Sequence, residues 1–142
     1  THLIEHELGG MFDVAHGAGL AAVWGSWARY VMDEKPERFA QFAVNVMGVE
    51  ECEDIKATAI KGIEAVEDFY REIEMPTNLK ELGIDPTDEQ IKDMAMKATN
   101  NDTQQLGAFK KLSAKDLVEI IQQQNKIMYQ TKEKHVSIET HI

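Results

Sequence analysis

Apolar side chains recur at a helical period along most of this chain, and that periodicity constrains the fold more than any other feature. Between residues 51 and 74 the apolar positions form one helical stripe: Ile55, Ala59, Ile63, Val66, Phe69, Tyr70 and Ile73. The charged residues of that stretch are expected on its solvated side: Glu53, Lys56, Lys61, Glu64 and Glu67. The chain has only 3 prolines and few alternating β-branched runs. The sequence therefore predicts an all-α fold, a helical bundle of about five to seven helices with no sheet.

Glycines and apolar content locate the first two helices. Residues 1–8 are predicted to form a helix that Gly9 and Gly10 stop, because two successive glycines favour left-handed or extended backbone. From residue 17 to residue 32 apolar side chains surround most of the helix, which predicts a central buried element. Arg29 is expected to mark its exit to solvent.

Three further helices are predicted, at 36–47 between Pro36 and Gly48, at 87–98, and from 113 to about 124 or beyond. Thr87 and Gln90 have the spacing of a capping box, and Ser113 with Asp116 resembles a second cap. Since each of these pairs precedes a run with apolar residues at helical spacing, both are expected to begin helices.

Composition limits the class of protein and its partners. With 142 residues and 43% hydrophobic content, residues 1–142 are predicted to form a single domain around one core. Acidic residues outnumber basic ones by 25 to 15, and the net charge of −10 repels phosphate backbones and anionic lipid. Nucleic acid and membrane surfaces are therefore not expected as partners.

The single cysteine and the N-terminal residues bear on the setting of the chain. Cys52 has no partner for an internal disulfide, which fits a reducing compartment and predicts a cytoplasmic protein. No apolar run approaches the roughly 18 residues of a membrane span, and no signal-peptide pattern is present. Because the sequence opens on a histidine-containing helical pattern without a methionine, it is expected to be a fragment.

Three of the 5 histidines lie close together in sequence: His2, His6 and His16. The other two, His135 and His141, lie in a charged tail that is expected to fray and to leave them solvated. Histidines four residues apart share a helix face, and a turn can fold a third back towards them. Neutral imidazole is a common ligand of zinc and iron, so the cluster predicts a divalent metal site. The alternative is that these are ordinary surface or core histidines.

Residues 2–6 also spell H-x-x-E-H, a zinc-peptidase pattern in which two histidines hold the metal and the glutamate acts as the base. A zinc metallopeptidase that uses His2 and His6 is therefore an alternative function. Such an enzyme would need a carboxylate ligand from a later helix, and the sequence after residue 16 has no recognisable companion motif. A non-catalytic helical interaction module, in which the histidines are incidental, is a further alternative.

The whole segment 2–17 reads H-x-x-x-H-x-L-G-G-x-x-x-x-x-H-G, and it resembles the signature of iron-containing alcohol dehydrogenases, especially the butanol dehydrogenase-like branch. The resemblance continues through four later segments, at 18–21, 27–30, 75–84 and 112–117. It implies the helical bundle of the C-terminal domain of these enzymes and of dehydroquinate synthase-like proteins. One departure is Gly25, where relatives often carry a proline.

The resemblance also implies roles for the histidines. His2 and His16 match metal ligands for divalent iron or zinc, and His6 matches a non-ligand histidine beside substrate and nicotinamide, where it would relay protons. The other two ligands of the family, an aspartate and a histidine, belong to a preceding helix that this sequence lacks. The implied metal site is therefore half present.

The resemblance also implies a separate α/β domain in front of this one that binds NAD(P). The sequence itself contains no glycine-rich phosphate loop. The implied activity is reversible hydride transfer between a small alcohol or aldehyde and the nicotinamide. A homo-oligomer, a dimer, is implied for the full-length form. The isolated chain is expected to be inactive.

Overall fold

The computed structural model describes residues 1–107 and 109–124, which fold into helices joined by short turns. The helices are α1 (His2–Phe12), α2 (His16–Val31), α3 (Pro36–Asn45), α4 (Ile55–Glu72), α5 (Asp88–Ala98) and α6 (114–124). Within these ranges the only β-type pairing is one isolated bridge between Leu106 and Leu112. The predicted all-α fold is confirmed. The charged tail with His135 and His141 lies outside the described residues.

The core lies between α2 and the helices around it. Helix α1 packs against α2 and α5, α2 packs against α4, and α3 lies along α4. Each of the six helices contributes at least one side chain that is no more than 1% exposed: Leu8, Val23, Ala43, Ile63, Ile91 and Ile120 are examples. Helix α2 is the buried central element that its composition predicts. In the described part of the chain, no helix has both the length and the apolar character needed to cross a membrane.

Helix α1 does not stop at Gly9 and Gly10, and that prediction is wrong. The helix continues to Phe12 and ends at Asp13, which has a left-handed φ of 52° and donates its N–H to the carbonyl of Gly9 at 3.0 Å. Each helical glycine costs about 1 kcal/mol relative to alanine. Burial of a large apolar side chain yields about 1.5–3 kcal/mol, and the last turn of α1 packs Met11 and Phe12 against the core. Packing therefore outweighs propensity.

Helix α4 follows its predicted stripe only in the middle. Asp54 caps its N-terminus by accepting the N–H of Lys56 at 3.0 Å, so the helix begins at Ile55 and not near residue 51. Ile63 is buried, whereas Phe69 and Ile73 are 49% and 51% exposed. The stripe is therefore longer than the surface that α2 and α3 cover.

Glu67 was expected on the solvated side of α4, and this is wrong as well. It is 5% exposed and forms an ion pair with Arg29 of α2, which is partly buried instead of marking an exit to solvent. Gly25 makes the room for this pair. A Cβ atom there would overlap the Glu67 carboxylate and lie 3.1 Å from Nη1 of Arg29. The contact depends on a helix crossing, which periodicity within α4 alone does not encode.

Both predicted caps are present. The Oγ1 atom of Thr87 accepts the N–H of Gln90 at 3.2 Å, and the side chain of Gln90 accepts the N–H of Thr87 at 2.9 Å, which completes a capping box. The carboxylate of Asp116 accepts the backbone N–H of Ser113 at 2.8 Å and its hydroxyl at 3.0 Å. These caps satisfy donors that the first turns of α5 and α6 leave free.

A hydrogen bond between Tyr30 and Asp116 joins α2 to α6, with the Tyr30 hydroxyl donating to Oδ1 at 2.5 Å. Burial, together with hydrogen bonds to the carboxylates of Asp116 and Glu119, raises the pKa of Tyr30 above its ordinary value. Burial also favours a higher pKa for Asp116, but hydrogen bonds from Tyr30 and Ser113 outweigh it and hold that pKa below its ordinary value. The ammonium of Lys110 lies 5.1 Å from the centre of the Tyr30 ring and further favours the ionised carboxylate.

Candidate metal site

His2 and His16 lie side by side although 14 positions separate them in sequence. Each is the first residue of its helix, His2 in α1 and His16 in α2, and the turn between the helices brings the two imidazoles together. Their ring centroids are 5.5 Å apart with an angle of 55° between the ring planes. Both residues are exposed, so their nitrogens can reach a ligand from solvent or from another domain.

Glu5 connects α1 to this pair of histidines. It is 3% exposed, and its Oε2 atom forms a hydrogen bond with Nδ1 of His16. The Glu5 side chain runs between α1 and α2, past two positions that carry no side chain. A Cβ atom at Gly19 would lie 2.7 Å from Cγ of Glu5, and one at Gly9 would lie 3.4 Å from its Oε1. Two glycines therefore make the space in which the buried carboxylate reaches His16.

His6 lies one turn further along α1 and is exposed. Among residues 1–107 and 109–124, no three histidine, cysteine, aspartate or glutamate side chains are grouped so that they could hold a metal ion. The structure thus brings His2 and His16 together and does not add His6 to them as a third ligand. Two imidazole nitrogens suit divalent iron or zinc, so these residues fit half of a four-ligand site.

An apolar cavity of about 210 Å³ opens beside His2. Its walls include Leu3, Leu106, Leu112 and Leu117. A larger cavity of about 390 Å³ lies between α2, α3 and α4, and no histidine lines it. The chemistry-bearing side chains are therefore next to the smaller cavity.

Glu5 is the site residue whose contact the sequence did not reveal. In the H-x-x-E-H pattern it would be a catalytic base directed at a metal between His2 and His6. In the structure its carboxylate is buried and hydrogen-bonded to His16, the histidine outside that pattern. The signal available in sequence was a glutamate one turn before Gly9, but its partner depends on how α1 crosses α2. This geometry does not favour the peptidase alternative.

Comparisons with known proteins identify the family of this chain. Residues 1–125 match the family described as "Fe-containing alcohol dehydrogenase family, C-terminal". The chain is 35% identical over 122 residues to the probable NADH-dependent butanol dehydrogenase 1 of Bacillus subtilis, an alignment that covers 85% of this chain and 30% of that protein. The chain thus spans about a third of the length of this relative.

Solved structures give the same result. The NADH-dependent butanol dehydrogenase A of Thermotoga maritima superposes with a TM-score of 0.74 at 32% identity, covering 87% of this chain and 32% of that one. The substrate- and cofactor-free aldehyde reductase of E. coli superposes with a TM-score of 0.76 at 24% identity over 85% of this chain and 31% of that one, which shows the shared fold. These matches support neither the peptidase nor the interaction-module alternative. The chain belongs to the Fe-containing alcohol dehydrogenase family and corresponds to its C-terminal part.

Proposed function

We propose that residues 1–142 are the single helical, metal-binding domain of an NAD(P)-dependent alcohol dehydrogenase of the butanol dehydrogenase-like branch. The reaction is reversible hydride transfer between a small alcohol or aldehyde and the nicotinamide. A separate domain binds NAD(P), the full-length enzyme is a homodimer, and it works in the cytoplasm. The family match over residues 1–125 and the similarity to two butanol dehydrogenases support this assignment.

The observation that carries the proposal is the pairing of His2 with His16. Their rings lie 5.5 Å apart at the start of two helices, and a buried carboxylate holds one of them. Ordering an exposed side chain costs conformational entropy. A role as a metal ligand accounts for the ordered position of these rings. In this proposal His2 and His16 hold divalent iron or zinc, together with an aspartate and a histidine from a preceding helix of the full-length enzyme.

His6 has a different role in the proposal. When bound, a divalent cation supplies positive charge that favours the deprotonated form of a nearby hydroxyl group. The released proton then needs an acceptor, and an exposed imidazole accepts and donates protons near neutral pH. His6 lies one helical turn from His2 and is exposed, so we assign it the proton relay. The apolar cavity beside His2 suits a short alkyl chain better than a charged group.

Metal analysis of three alanine variants in the full-length enzyme tests this assignment. His2→Ala and His16→Ala each remove a ligand nitrogen, so the bound metal and the turnover should fall together. His6→Ala should keep the metal, and turnover should drop by about 10²- to 10⁴-fold, the usual contribution of a positioned acid or base. Loss of metal from His6→Ala but not from His16→Ala would instead identify His2 and His6 as the ligands and contradict the proposal.

A further inference from the structure

Glu5 and His16 are in contact, but the first is buried and the second is exposed. Glu5 is 3% exposed, whereas the side chain of His16 is 63% exposed. Removing a carboxylate from water costs several kcal/mol unless a close partner compensates, and a solvated imidazole is a weak partner for stability alone. The hydrogen bond instead holds the exposed ring of His16 in one orientation, through one of its two nitrogens.

We propose that Glu5 is a positioning residue that sets the tautomer and orientation of His16 for metal binding, an inference that rests on the proposed function. An ionised carboxylate only accepts hydrogen bonds, so Nδ1 of His16 must carry the hydrogen. The lone pair of the neutral ring is then on Nε2, the nitrogen directed away from Glu5. A carboxylate that holds the second nitrogen of a ligating histidine fixes its tautomer and raises its basicity as a ligand.

The surrounding backbone keeps the carboxylate in place. A Cβ atom at residue 19 would lie 2.9 Å from Oε1 of Glu5 and 2.7 Å from its Cγ, so only glycine leaves this space open. Gly9 borders the same carboxylate one turn later in α1. Glu5 thus lies in a slot between α1 and α2, and His16 begins the helix that forms one wall of the slot.

The first measurement is the tautomer of His16 in the metal-free chain. It uses ¹⁵N NMR of the imidazole nitrogens at a pH high enough for the ring to be neutral. The wild-type ring should carry its hydrogen on Nδ1. Glu5→Gln, whose amide can rotate to present a donor, should shift His16 towards the Nε2–H form. Glu7→Gln is the matched control, since it removes a charge from the same helix without touching His16. Gly19→Ala keeps Glu5 but fills the slot, and should cause the same shift.

The second measurement is the affinity for Zn²⁺ of the full-length enzyme. Glu5→Gln should weaken it by about 10- to 100-fold, the usual effect of losing such a partner, with Glu7→Gln unchanged. An Nε2–H tautomer in the wild type, or an unchanged tautomer in both Glu5→Gln and Gly19→Ala, would overturn the inference whatever the metal result. If the tautomer shifts but Zn²⁺ affinity survives even in His16→Ala, the proposed ligand role of His16 fails instead, and the inference fails with it.

Discussion

At the scale of single residues, the hydrogen bond from Tyr30 to Asp116 makes part of the free energy of unfolding depend on pH. The pKa of Asp116 is lower in the folded chain than its ordinary value of about 3.9. The contribution of ionised Asp116 to the free energy of unfolding is therefore complete above a pH of about 3.9, its ordinary pKa, and is lost as the pH falls through the lowered pKa. Tyr30→Phe should reduce the free energy of unfolding by about 1 kcal/mol at pH 7 and by less as the pH approaches 2. Urea denaturation followed by circular dichroism measures both.

Tyr70→Phe is the control for this variant. Burial raises the pKa of Tyr70, but in the described part of the chain its hydroxyl makes no hydrogen bond to a carboxylate. Its removal should change stability by a similar small amount at both pH values. An equal loss for Tyr30→Phe at pH 7 and at low pH would show that the hydrogen bond does not depend on an ionised Asp116.

The histidines of the candidate site stand out in the sequence, whereas the residue that contacts one of them does not. His2, His6 and His16 stand out because three histidines fall within one short segment whose spacing matches a known signature. Glu5 gave a misleading local signal, since H-x-x-E-H assigns it to a metal between His2 and His6. Its actual contact joins two helices, and no local pattern specifies which residues meet at a helix crossing.

At the scale of helices, two glycines inside helices should respond oppositely to alanine. Gly10 faces open space, so Gly10→Ala should stabilise the chain by about 0.5–1 kcal/mol through helix propensity. At Gly25 the new Cβ would overlap the Glu67 carboxylate and disturb its ion pair with Arg29. Gly25→Ala should therefore destabilise by about 1–3 kcal/mol, as overpacking does. Urea midpoints of the two variants give the comparison, and equal stabilisation by both would contradict it.

The same helices show where sequence reasoning about elements succeeds and where it fails. The caps at Thr87 and Ser113 were predictable because their hydrogen bonds are made within a few residues. The end of α1 was not, since packing of Phe12 against distant core residues carries the helix past Gly9 and Gly10. Glu67 was misplaced for the same reason, because its partner Arg29 comes from another helix.

At the scale of the whole molecule, exposed apolar side chains and a net charge of −10 act in opposite directions. Phe69 in the last turn of α4 and Ile73 just after its end are each about half exposed, and exposed apolar surface favours association. Like charge opposes it, and salt screens that repulsion. Self-association should therefore increase with protein concentration and with added salt in light scattering.

Two variants that add the same charge test whether the surface around Phe69 and Ile73 causes the self-association. Phe69→Glu should weaken the association, because it replaces an apolar side chain on α4. Val46→Glu adds the same charge at another exposed apolar position, after the end of α3, and should have less effect. A monomer at all concentrations, or an equal response to the two variants, would count against this surface.

The isolated chain should not oxidise alcohols. In the proposed function His2 and His16 provide two of the four ligands, and the sequence contains no glycine-rich phosphate loop. Absorbance of NADH or NADPH during incubation with butanol should stay constant with the chain alone. Measurable turnover by the purified 142-residue chain would refute this expectation.

The space beside Gly25 limits which side chains positions 25, 29 and 67 can hold together. A proline ring at position 25 would occupy the volume that the Glu67 carboxylate fills here. A Gly25→Pro substitution would therefore displace that carboxylate and deprive Arg29 of its ion pair. The side chains at positions 25, 29 and 67 are thus interdependent, since the ion pair in this arrangement requires glycine at position 25.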